Sequence, residues 1–284
     1  MFKEITGLFK QTIAGWSEDK ISTLAAALAY YTIFSMGPVL IISIAIAGMI
    51  FGKEAVQTQI LQQISEMFGS GSAEQIKTML LSASHPATSL FAQIVGIVLL
   101  LFGAIAVFSE LQAGLNKIWN VEAQATEGWI GMIKNRFWSF TMVLVIGFLL
   151  LVSLTLTVLL TTISNFLSQL LPGGSVIGLI LNFVISLGGI TLLFAMIFKI
   201  LPNIVLRWRD VWLGAFITTL LFTIGKFLLG FYLGSIDVEN GFGASASLII
   251  ILIWVYYSAQ ILFLGAEFTK AYVNRTTSKS HKRS

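Results

Sequence analysis

Six apolar blocks, each about as long as a bilayer crossing, dominate this sequence. A helix needs about 20 mostly apolar residues to cross a hydrocarbon core of about 30 Å. The blocks cover approximately residues 23–51, 90–109, 139–163, 176–198, 211–234 and 244–266. Each block is apolar on all sides and lacks the alternation of a barrel strand, which favours a helix that satisfies its own backbone hydrogen bonds. The sequence therefore predicts an all-α, polytopic membrane bundle with about six transmembrane helices.

Charged side chains are too few to coat a water-soluble domain of this size. They make up 11% of the 284 residues, whereas an ordinary soluble domain has about 25%. We therefore predict a single membrane domain over residues 1–284. In this prediction, residues 52–89 form a helical connection outside the cytoplasm, and residues 267–284 form a basic cytoplasmic tail.

Lysine and arginine are concentrated in alternate connections, and this asymmetry predicts the orientation of the chain. Fourteen of the 17 basic residues fall in the N-terminal segment, the second and fourth connections and the C-terminal tail. Only Lys53 and Lys77 lie in the opposite connections. Because basic loops stay in the cytoplasm, we expect both termini there. The asymmetry also accounts for the net charge of +4, so we expect membrane lipids as partners and no nucleic acid.

Two segments outside the spans have apolar residues at helical spacing. The N-terminal segment predicts a helix lying along the cytoplasmic interface, on the basis of Phe2, Ile5, Phe9, Ile13 and Trp16. The outer connection predicts a pair of helices separated by a turn at Gly69 to Gly71. This pair either caps the bundle or moves as a gate.

The sequence contains no constellation for catalysis or for cofactor binding. Cysteine is absent, and the two histidines, His85 and His281, are far apart, which excludes a Cys-based metal site and a His-rich cluster within one chain. A Walker A sequence and a nucleophile elbow with suitable partners are also missing. We therefore expect no enzyme, no cofactor, no resident metal and no ATP hydrolysis by this chain.

Lys226 is a charged residue inside the fifth apolar block, where a charge at the helix centre costs at least about 2.5 kcal/mol. Thr219, Thr223 and Lys226 are spaced i, i+4 and i+7, so they share one helix face. Either this polar stripe faces protein or water on a transport path, or the ammonium group of Lys226 snorkels to the headgroups while its stem packs on apolar neighbours.

Carboxylates mark the inner ends of two predicted spans. Glu110 follows the second span, and Glu267 closes the sixth. On the sixth span, Tyr256, Gln260 and Glu267 lie within about 40° of one another around the helix axis. This polar track either joins helices through hydrogen bonds or lines a path for a solute or a proton.

The first span contains a predicted kink or break, where Ser35 and Gly37 precede Pro38. Proline removes a backbone donor and clashes with the preceding turn. A broken helix is tolerated at membrane depth only where it is buried or lines a cavity. Together with Tyr30 and Tyr31, this segment is the strongest candidate for a solute-facing region.

Short motifs are distributed along nearly the whole chain. They are Ala25–Tyr31, Ser35–Pro38, Leu115–Trp119, Leu201–Asn203, Arg207–Asp210, Gly214–Ala215, Gly225–Lys226, Leu252–Tyr257 and Gly265–Glu267. Together these motifs resemble the YihY / virulence factor BrkB family of bacterial inner-membrane proteins, and only the outer connection carries little of the resemblance. The resemblance implies a six-span, multi-pass protein of the bacterial cytoplasmic (inner) membrane.

The resemblance implies little about activity. Members of the family have no agreed activity, are often suspected of transport and long carried a ribonuclease BN label that is regarded as a misassignment. Lys226, Glu267, Asn203 and Asp210 coincide with motif positions of the family, which implies importance without a defined role. Glu110 is a further residue whose role the resemblance leaves undefined.

The residues and the resemblance together favour a permease or flippase-like transporter of an unidentified solute or lipid. The main alternative is a non-transporting scaffold for envelope assembly, in which polar faces join helices and the outer helices bind a partner. A ribonuclease is disfavoured, because a metal-dependent nuclease needs ligand clusters that this sequence lacks. Oligomer formation is left open.

Overall fold

The computed structural model describes residues 2–84, 105–121, 174–235 and 246–281, which are helical apart from short turns. No strand occurs in these ranges, and the all-α prediction is confirmed. In chain order, the described helices are α1 (Phe2–Glu18), α2 (Ile21–Phe51), α3 (Lys53–Phe68), α4 (Ser70–Ser84), α5 (105–118), α6 (Gly174–Ile200), α7 (Trp208–Ser235) and α8 (Ala246–His281).

Four helices coincide with predicted spans: α2, α6, α7 and α8. Among the described residues, α7 and α8 are long and apolar enough to cross a membrane, over Trp208–Phe231 and Leu248–Thr276. Helix α2 is a third such helix if its two bent arms form one span, and α6 contributes the shorter apolar helix Ser186–Ile200. The predicted span at 139–163 and most of the one at 90–109 lie outside the described residues.

Helix α2 bends by 48° between the arms Ile21–Gly37 and Val39–Met49. The bend falls at Pro38, which has no amide hydrogen to donate and whose ring crowds the preceding turn. Gly37 lies against α4, since a Cβ added there would come within 2.9 Å of Met79 Sδ. The predicted break is therefore present as a bend in a continuous helix.

Helices α3 and α4 form the hairpin that was predicted for the connection after α2. Gly52 and Gly69, which precede the two helices, have φ angles of 85° and 86°, a region that glycine enters without steric cost. The apolar side of the hairpin packs on the second arm of α2 and on the first turns of α8, through Ile44, Ala47, Val56, Ile64, Ile76, Leu80 and Ile251. In this arrangement the hairpin caps the bundle.

Helices α7 and α8 are antiparallel and approach each other closely through paired glycines and threonines. A Cβ added to Gly214 would overlap Thr269 Oγ1, and one added to Gly265 would overlap Thr218 Oγ1. Each threonine hydroxyl donates a hydrogen bond of 2.7 Å to the carbonyl of the glycine four residues earlier in its own helix. The hydroxyls are therefore satisfied inside the contact, and small residues let the backbones approach.

Among the described residues, the largest buried core lies at the end of the bundle where four chain segments meet. Its side chains include Ile21 of α2, Leu115 of α5, Phe198 of α6 and Phe263 of α8. We call this region the basic end. It comprises α1, the start of α2, the end of α5, the junction between α6 and α7 (residues 201–207), the start of α7 and the last turns of α8.

We predict that Gly265→Ala destabilises the protein by about 1–3 kcal/mol, because the added methyl group overpacks the contact with Thr218. The measurement is the apparent midpoint of thermal unfolding in detergent, which should fall by several degrees. Gly230→Ala is the matched control, since a Cβ at Gly230 in α7 meets no atom within 4 Å. Equal midpoints for the two variants would contradict the close contact.

Candidate functional site

The junction between α6 and α7 is attached to α5 by side-chain amides. Gln112 Nε2 donates to the carbonyl of Leu201 at 2.9 Å and to Asn203 Oδ1 at 3.2 Å. The backbone N–H of Asn203 donates to Asn116 Oδ1 at 2.7 Å. Two sequence motifs that are far apart along the chain, Leu115–Trp119 and Leu201–Asn203, are thereby placed in direct contact.

The end of α5 holds Trp119 in a defined position. Asn120 has a φ of 52°, a left-handed conformation that asparagine tolerates better than most residues. The next amide, that of Val121, donates to the carbonyl of Asn116 at 2.9 Å, which closes the helix in the manner of a Schellman motif. Trp119 is 9% exposed, and its indole Nε1 is buried without a hydrogen-bond partner among the described residues. An unsatisfied buried donor costs about 1–3 kcal/mol.

Arg207 and Asp210 form an ion pair at the start of α7. Arg207 Nε donates to Asp210 Oδ2 at 2.9 Å, and Nη2 donates to Oδ1 at 3.3 Å. Asp210 is buried in the first turn, where a carboxylate interacts favourably with the helix dipole. The hydrogen bond to Asp210, together with its negative charge, raises the pKa of Arg207 above the ordinary value. The pair therefore keeps a positive charge at this helix end.

A cavity of about 580 Å³ opens between the end of α5, the junction, the start of α7 and the last turns of α8. Its polar wall includes Arg207, Asp210 and Lys270, and its apolar wall includes Ile204, Leu206, Val273 and the ring of Trp119. Lys199 Nζ donates to the carbonyl of Leu206 and so supports the junction that forms one wall. The cavity thus combines cationic groups with an apolar surface.

Glu267 lies one turn before Lys270 on α8 and is 3% exposed. Its Oε1 has no hydrogen-bond partner among the described residues. Helix α1 covers this carboxyl group at Gly15, where an added Cβ would overlap Glu267 Oε2. Glu18, the last residue of α1, and Asp19, which follows it, place negative charge near the carboxyl group, while Lys270 places a positive charge near it. The carboxyl group is therefore enclosed in a position where one lysine only partly compensates its charge.

Helix α1 runs along the last turns of α8. Asp19 Oδ2 and Lys270 Nζ form an ion pair of 3.3 Å, and the rings of Phe9 and Phe268 lie 6.2 Å apart. The predicted N-terminal helix is present, and in the structure its partner is α8. It forms the cover over Glu267.

The polar stripe of α7 is divided between two surroundings. Thr219 is buried, and its Oγ1 accepts a hydrogen bond of 3.1 Å from Thr191 of α6. Thr223 is half-buried and donates to the carbonyl of Thr219 at 2.8 Å. Lys226 is exposed on the surface of α7. Thr219 thus joins two helices, while the two alternatives for Lys226, a transport path and snorkelling, stay predictions.

The polar track of α8 is only partly gathered at the site. Tyr256 and Gln260 are half-buried, and Tyr256 packs against the large core. Its neighbour Tyr257, which was not among the predicted residues, makes the closer contact with α7. A Cβ at Gly225 would overlap the Tyr257 ring, and the hydroxyl donates to the carbonyl of Leu221 at 3.4 Å. Only Glu267 of the track reaches the basic end.

The candidates in α2 lie far from the cavity along the helix axis. Ser35 is 2% exposed and faces the protein interior. Tyr30 and Tyr31 are exposed and stack edge to face, with ring centroids 5.7 Å apart. The side chain of Pro38 lies outside the described residues, although its bend is described. Ser35 is thus the residue of this group that faces the interior beside the bend.

The family-motif residues of undefined role divide between the site and its surroundings. Asn203 is in the junction, and Asp210 lines the cavity. Glu110 is half-buried on α5 and does not line the described cavity. Trp119, Arg207 and Lys270 were not predicted as site residues from the sequence. The polar spacing of Gln112 and Asn116, at i and i+4 on an otherwise apolar helix, was the available signal for a contact at this end.

The short motifs on which the family resemblance was based lie within the part of the chain that matches a family model. A family model described as "Virulence factor BrkB" matches residues 12–284. The chain belongs to this family. Several motifs that carried the resemblance, including Leu115–Trp119, Leu201–Asn203 and Arg207–Asp210, therefore meet at one end of a BrkB-family bundle.

Curated relatives of this BrkB-family chain are bacterial and are named membrane proteins. It is 26% identical to a UPF0761 membrane protein of Alteromonas mediterranea, over 94% of this chain and 87% of the relative. It is 28% identical to a UPF0761 membrane protein of Pseudoalteromonas translucida, over 94% of this chain and 89% of that relative. It is 27% identical to a UPF0761 membrane protein of Alcanivorax borkumensis, over 96% of this chain. The match covers only 62% of that relative, which is considerably longer. No solved structure matches. The predictions of family and of a membrane protein are confirmed.

We predict that Asp210→Ala destabilises the protein by about 1 kcal/mol, because it removes both a favourable charge at the α7 N-terminus and a buried acceptor. Arg207→Ala should have a much smaller effect, since the side chain of Arg207 is 77% exposed whereas that of Asp210 is 11% exposed. The measurement is thermal unfolding of both variants in the same detergent. A larger loss of stability for Arg207→Ala than for Asp210→Ala would contradict this prediction and show that Arg207 is the more important member of the pair.

Proposed function

We propose that this protein is a transporter or flippase-like protein that moves a solute or lipid across the bacterial inner membrane without hydrolysing ATP. Both termini lie in the cytoplasm in this proposal, so the basic end faces the cytoplasm. The observation that carries the proposal is the enclosed carboxyl group of Glu267, which lies one helical turn before the cavity residue Lys270.

Glu267 supports transport because its placement is costly for a purely structural residue. Ionisable groups within membrane helices are expensive and usually mark a path or a relay. A purely structural carboxylate would be paired, yet Oε1 has no hydrogen-bond partner among the described residues, and the nearby cation Lys270 is already paired with Asp19. A residue that takes up and releases a proton during a conformational cycle has a reason to be placed in this way.

In this proposal, α1 and α2 are the helices that move during transport. Helix α1 covers Glu267 through Gly15 and the Asp19–Lys270 ion pair, so solvent reaches the carboxyl group when α1 moves away. Helix α2 follows directly and bends by 48° at Pro38. Proline bends are places where a helix changes direction at low cost, because the local hydrogen bond is already missing. Motion of α1 is thereby connected through α2 to the buried Ser35.

The test uses the absence of cysteine from the natural sequence. We expect Ser35→Cys to react with a charged, membrane-impermeant thiol reagent in sealed vesicles, because a transporter exposes its interior to water during the cycle. Ala195→Cys is the buried control, since Ala195 is packed in the core at 0% exposure. Arg209→Cys reports sidedness and should react from the cytoplasmic side alone. A Ser35→Cys protein as unreactive as Ala195→Cys would eliminate the transport proposal.

Proton coupling through Glu267 makes a separate prediction. A proton on Glu267 ends the cost of burying its charge and its repulsion by Glu18 and Asp19, and these gains outweigh the lost attraction to Lys270. Protonation therefore favours the closed arrangement seen in the structure. Thiol labelling slows at lower pH for any cysteine, because the thiolate is the reactive form. The labelling rate of Ser35→Cys is therefore divided by that of Arg209→Cys, and this ratio should fall as the pH falls. In a Glu267→Gln background this pH dependence should disappear. Its persistence in that background would assign the coupling to another group.

A non-transporting scaffold is the second candidate function. The observation in its favour is that the α3–α4 hairpin packs as a cap on the bundle while Met79 and Leu81 remain exposed on it. A scaffold needs no water-accessible interior, so it predicts that Ser35→Cys stays unreactive. The labelling experiment therefore separates the two functions.

A further inference from the structure

The cavity at the basic end is lined by Arg207 and Trp119, which the transport proposal does not use, and by Lys270, which it uses only as the partner of Asp19. We propose that this cavity binds a phosphate group, with Arg207 and Lys270 as its cationic ligands and the ring of Trp119 as part of its wall. The phosphate belongs either to a phospholipid headgroup or to a soluble phosphate ester. A scaffold could use such a site as well as a transporter could, so the inference does not rest on the proposed function.

Arg207 is oriented for a second anion while it is paired with Asp210. The pair engages the Nε and Nη2 atoms of the guanidinium group, which has five N–H donors in a rigid plane. The side chain is 77% exposed and lines the cavity. Its outer donors are therefore presented to the cavity and to solvent, in the fork geometry that suits phosphate oxygens.

Lys270 supplies a second positive charge from the opposite wall. Its Nζ is held by Asp19 at 3.3 Å, and the side chain is 19% exposed. An ammonium group has three donors, so an ion pair with one carboxylate leaves donors for another acceptor. The two acidic partners thus position the cations without occupying all of their donors. Lys199, which donates to the carbonyl of the cavity residue Leu206, adds positive charge behind the junction.

The remaining walls suit a phosphate that carries an apolar or glycerol-like group. Ile204, Leu206 and Val273 form an apolar side, and Asn274 and Thr276 add neutral polar groups. The buried Nε1 of Trp119 lacks a partner, and the same ring lines the cavity. Because Nε1 is buried in the structure, the proposed complex requires a rotation of the indole that brings this N–H to an acceptor atom of the ligand. A cavity of about 580 Å³ is larger than an isolated inorganic ion needs.

The depth of the cavity matches the headgroup layer. Trp208 and Trp212, in the first turns of α7, are exposed on the protein surface, and exposed indoles at span ends lie at the level of the headgroups. Arg207 directly precedes Trp208. Val205, in the junction that forms the cavity wall, is 95% exposed, which is consistent with contact to lipid rather than water. Phosphate groups are therefore abundant at the mouth of this cavity.

The test compares two lipids that differ only in the phosphate. Full-length protein in detergent is titrated with dioleoyl phosphatidic acid and with dioleoylglycerol, and bound lipid is counted by native mass spectrometry. We expect phosphatidic acid to bind at least about tenfold more tightly than dioleoylglycerol, as for a charge-assisted contact. Arg207→Ala should weaken binding of phosphatidic acid about tenfold. Trp119→Phe, which keeps an aromatic side chain but replaces the indole and its N–H with a smaller phenyl ring, should weaken it several-fold.

Arg209→Ala is the charge-matched control, because Arg209 is exposed two residues away and does not line the cavity. Its binding should stay within about twofold of the parent, whereas a general surface attraction would weaken both variants equally. Equal binding of the two lipids, or equal losses in Arg207→Ala and Arg209→Ala, would overturn the proposal. Thermal midpoints of all variants verify that the purified proteins are folded.

The source of the phosphate is decided by competition with glycerol 3-phosphate. If this soluble ester displaces phosphatidic acid, the site recognises the phosphate itself and accepts a soluble ligand. If it does not, while the dependence on Arg207 remains, the ligand is a lipid whose acyl part contributes to binding. Failure of Ser35→Cys labelling would remove the transport proposal and leave these binding results unchanged.

Discussion

The contact between α7 and α8 sets the positions of the polar groups at the basic end. Gly214 faces Thr269 and Gly265 faces Thr218, so residues 207–210 at the start of α7 come to lie opposite residues 273–276 at the end of α8. The cavity lies between these two stretches. Because one residue of slippage along a helix rotates its side chains by about 100°, the paired glycines and threonines that fix the register also fix which side chains meet there.

The threonines in this contact show how a polar residue can pack between apolar helices without an unsatisfied hydroxyl group. Their hydroxyls donate to carbonyls of their own helices, so they need no partner across the interface and allow close approach. Thr219 donates to its own helix in the same way, while the single hydroxyl proton of Thr191 is shared between the carbonyl of Leu187 and Thr219 Oγ1, which links α6 to α7. Polar residues in these helices are thus mostly structural. Glu267 differs from them, because its Oε1 has no partner among the described residues.

Much of the fold was predictable because membrane helices are local structures. The apolar blocks that became α2, α6, α7 and α8 follow from length and composition, since lipid forces each segment to satisfy its own backbone. The bend at Pro38 and the turn at Gly69 follow from the covalent chemistry of single residues. The motif resemblance was also readable from the sequence, and the family match over residues 12–284 confirms it.

The candidate site was less predictable, because it depends on contacts between distant segments. Glu267 and Asp210 were identified from the sequence, whereas Trp119, Arg207 and Lys270 became neighbours through the junction at 201–207 and the antiparallel register of α7 and α8. Lys226 was a candidate because a charged residue is rare in an apolar block. Its exposed position, however, is decided by the rotation of α7 against its neighbours. The sequence by itself determined the helices, the bend and the segregation of basic residues into alternate connections, because lipid solvation and residue chemistry act locally. Only the tertiary structure decided which polar side chains face one another, because helix register and rotation depend on packing between segments far apart in the chain.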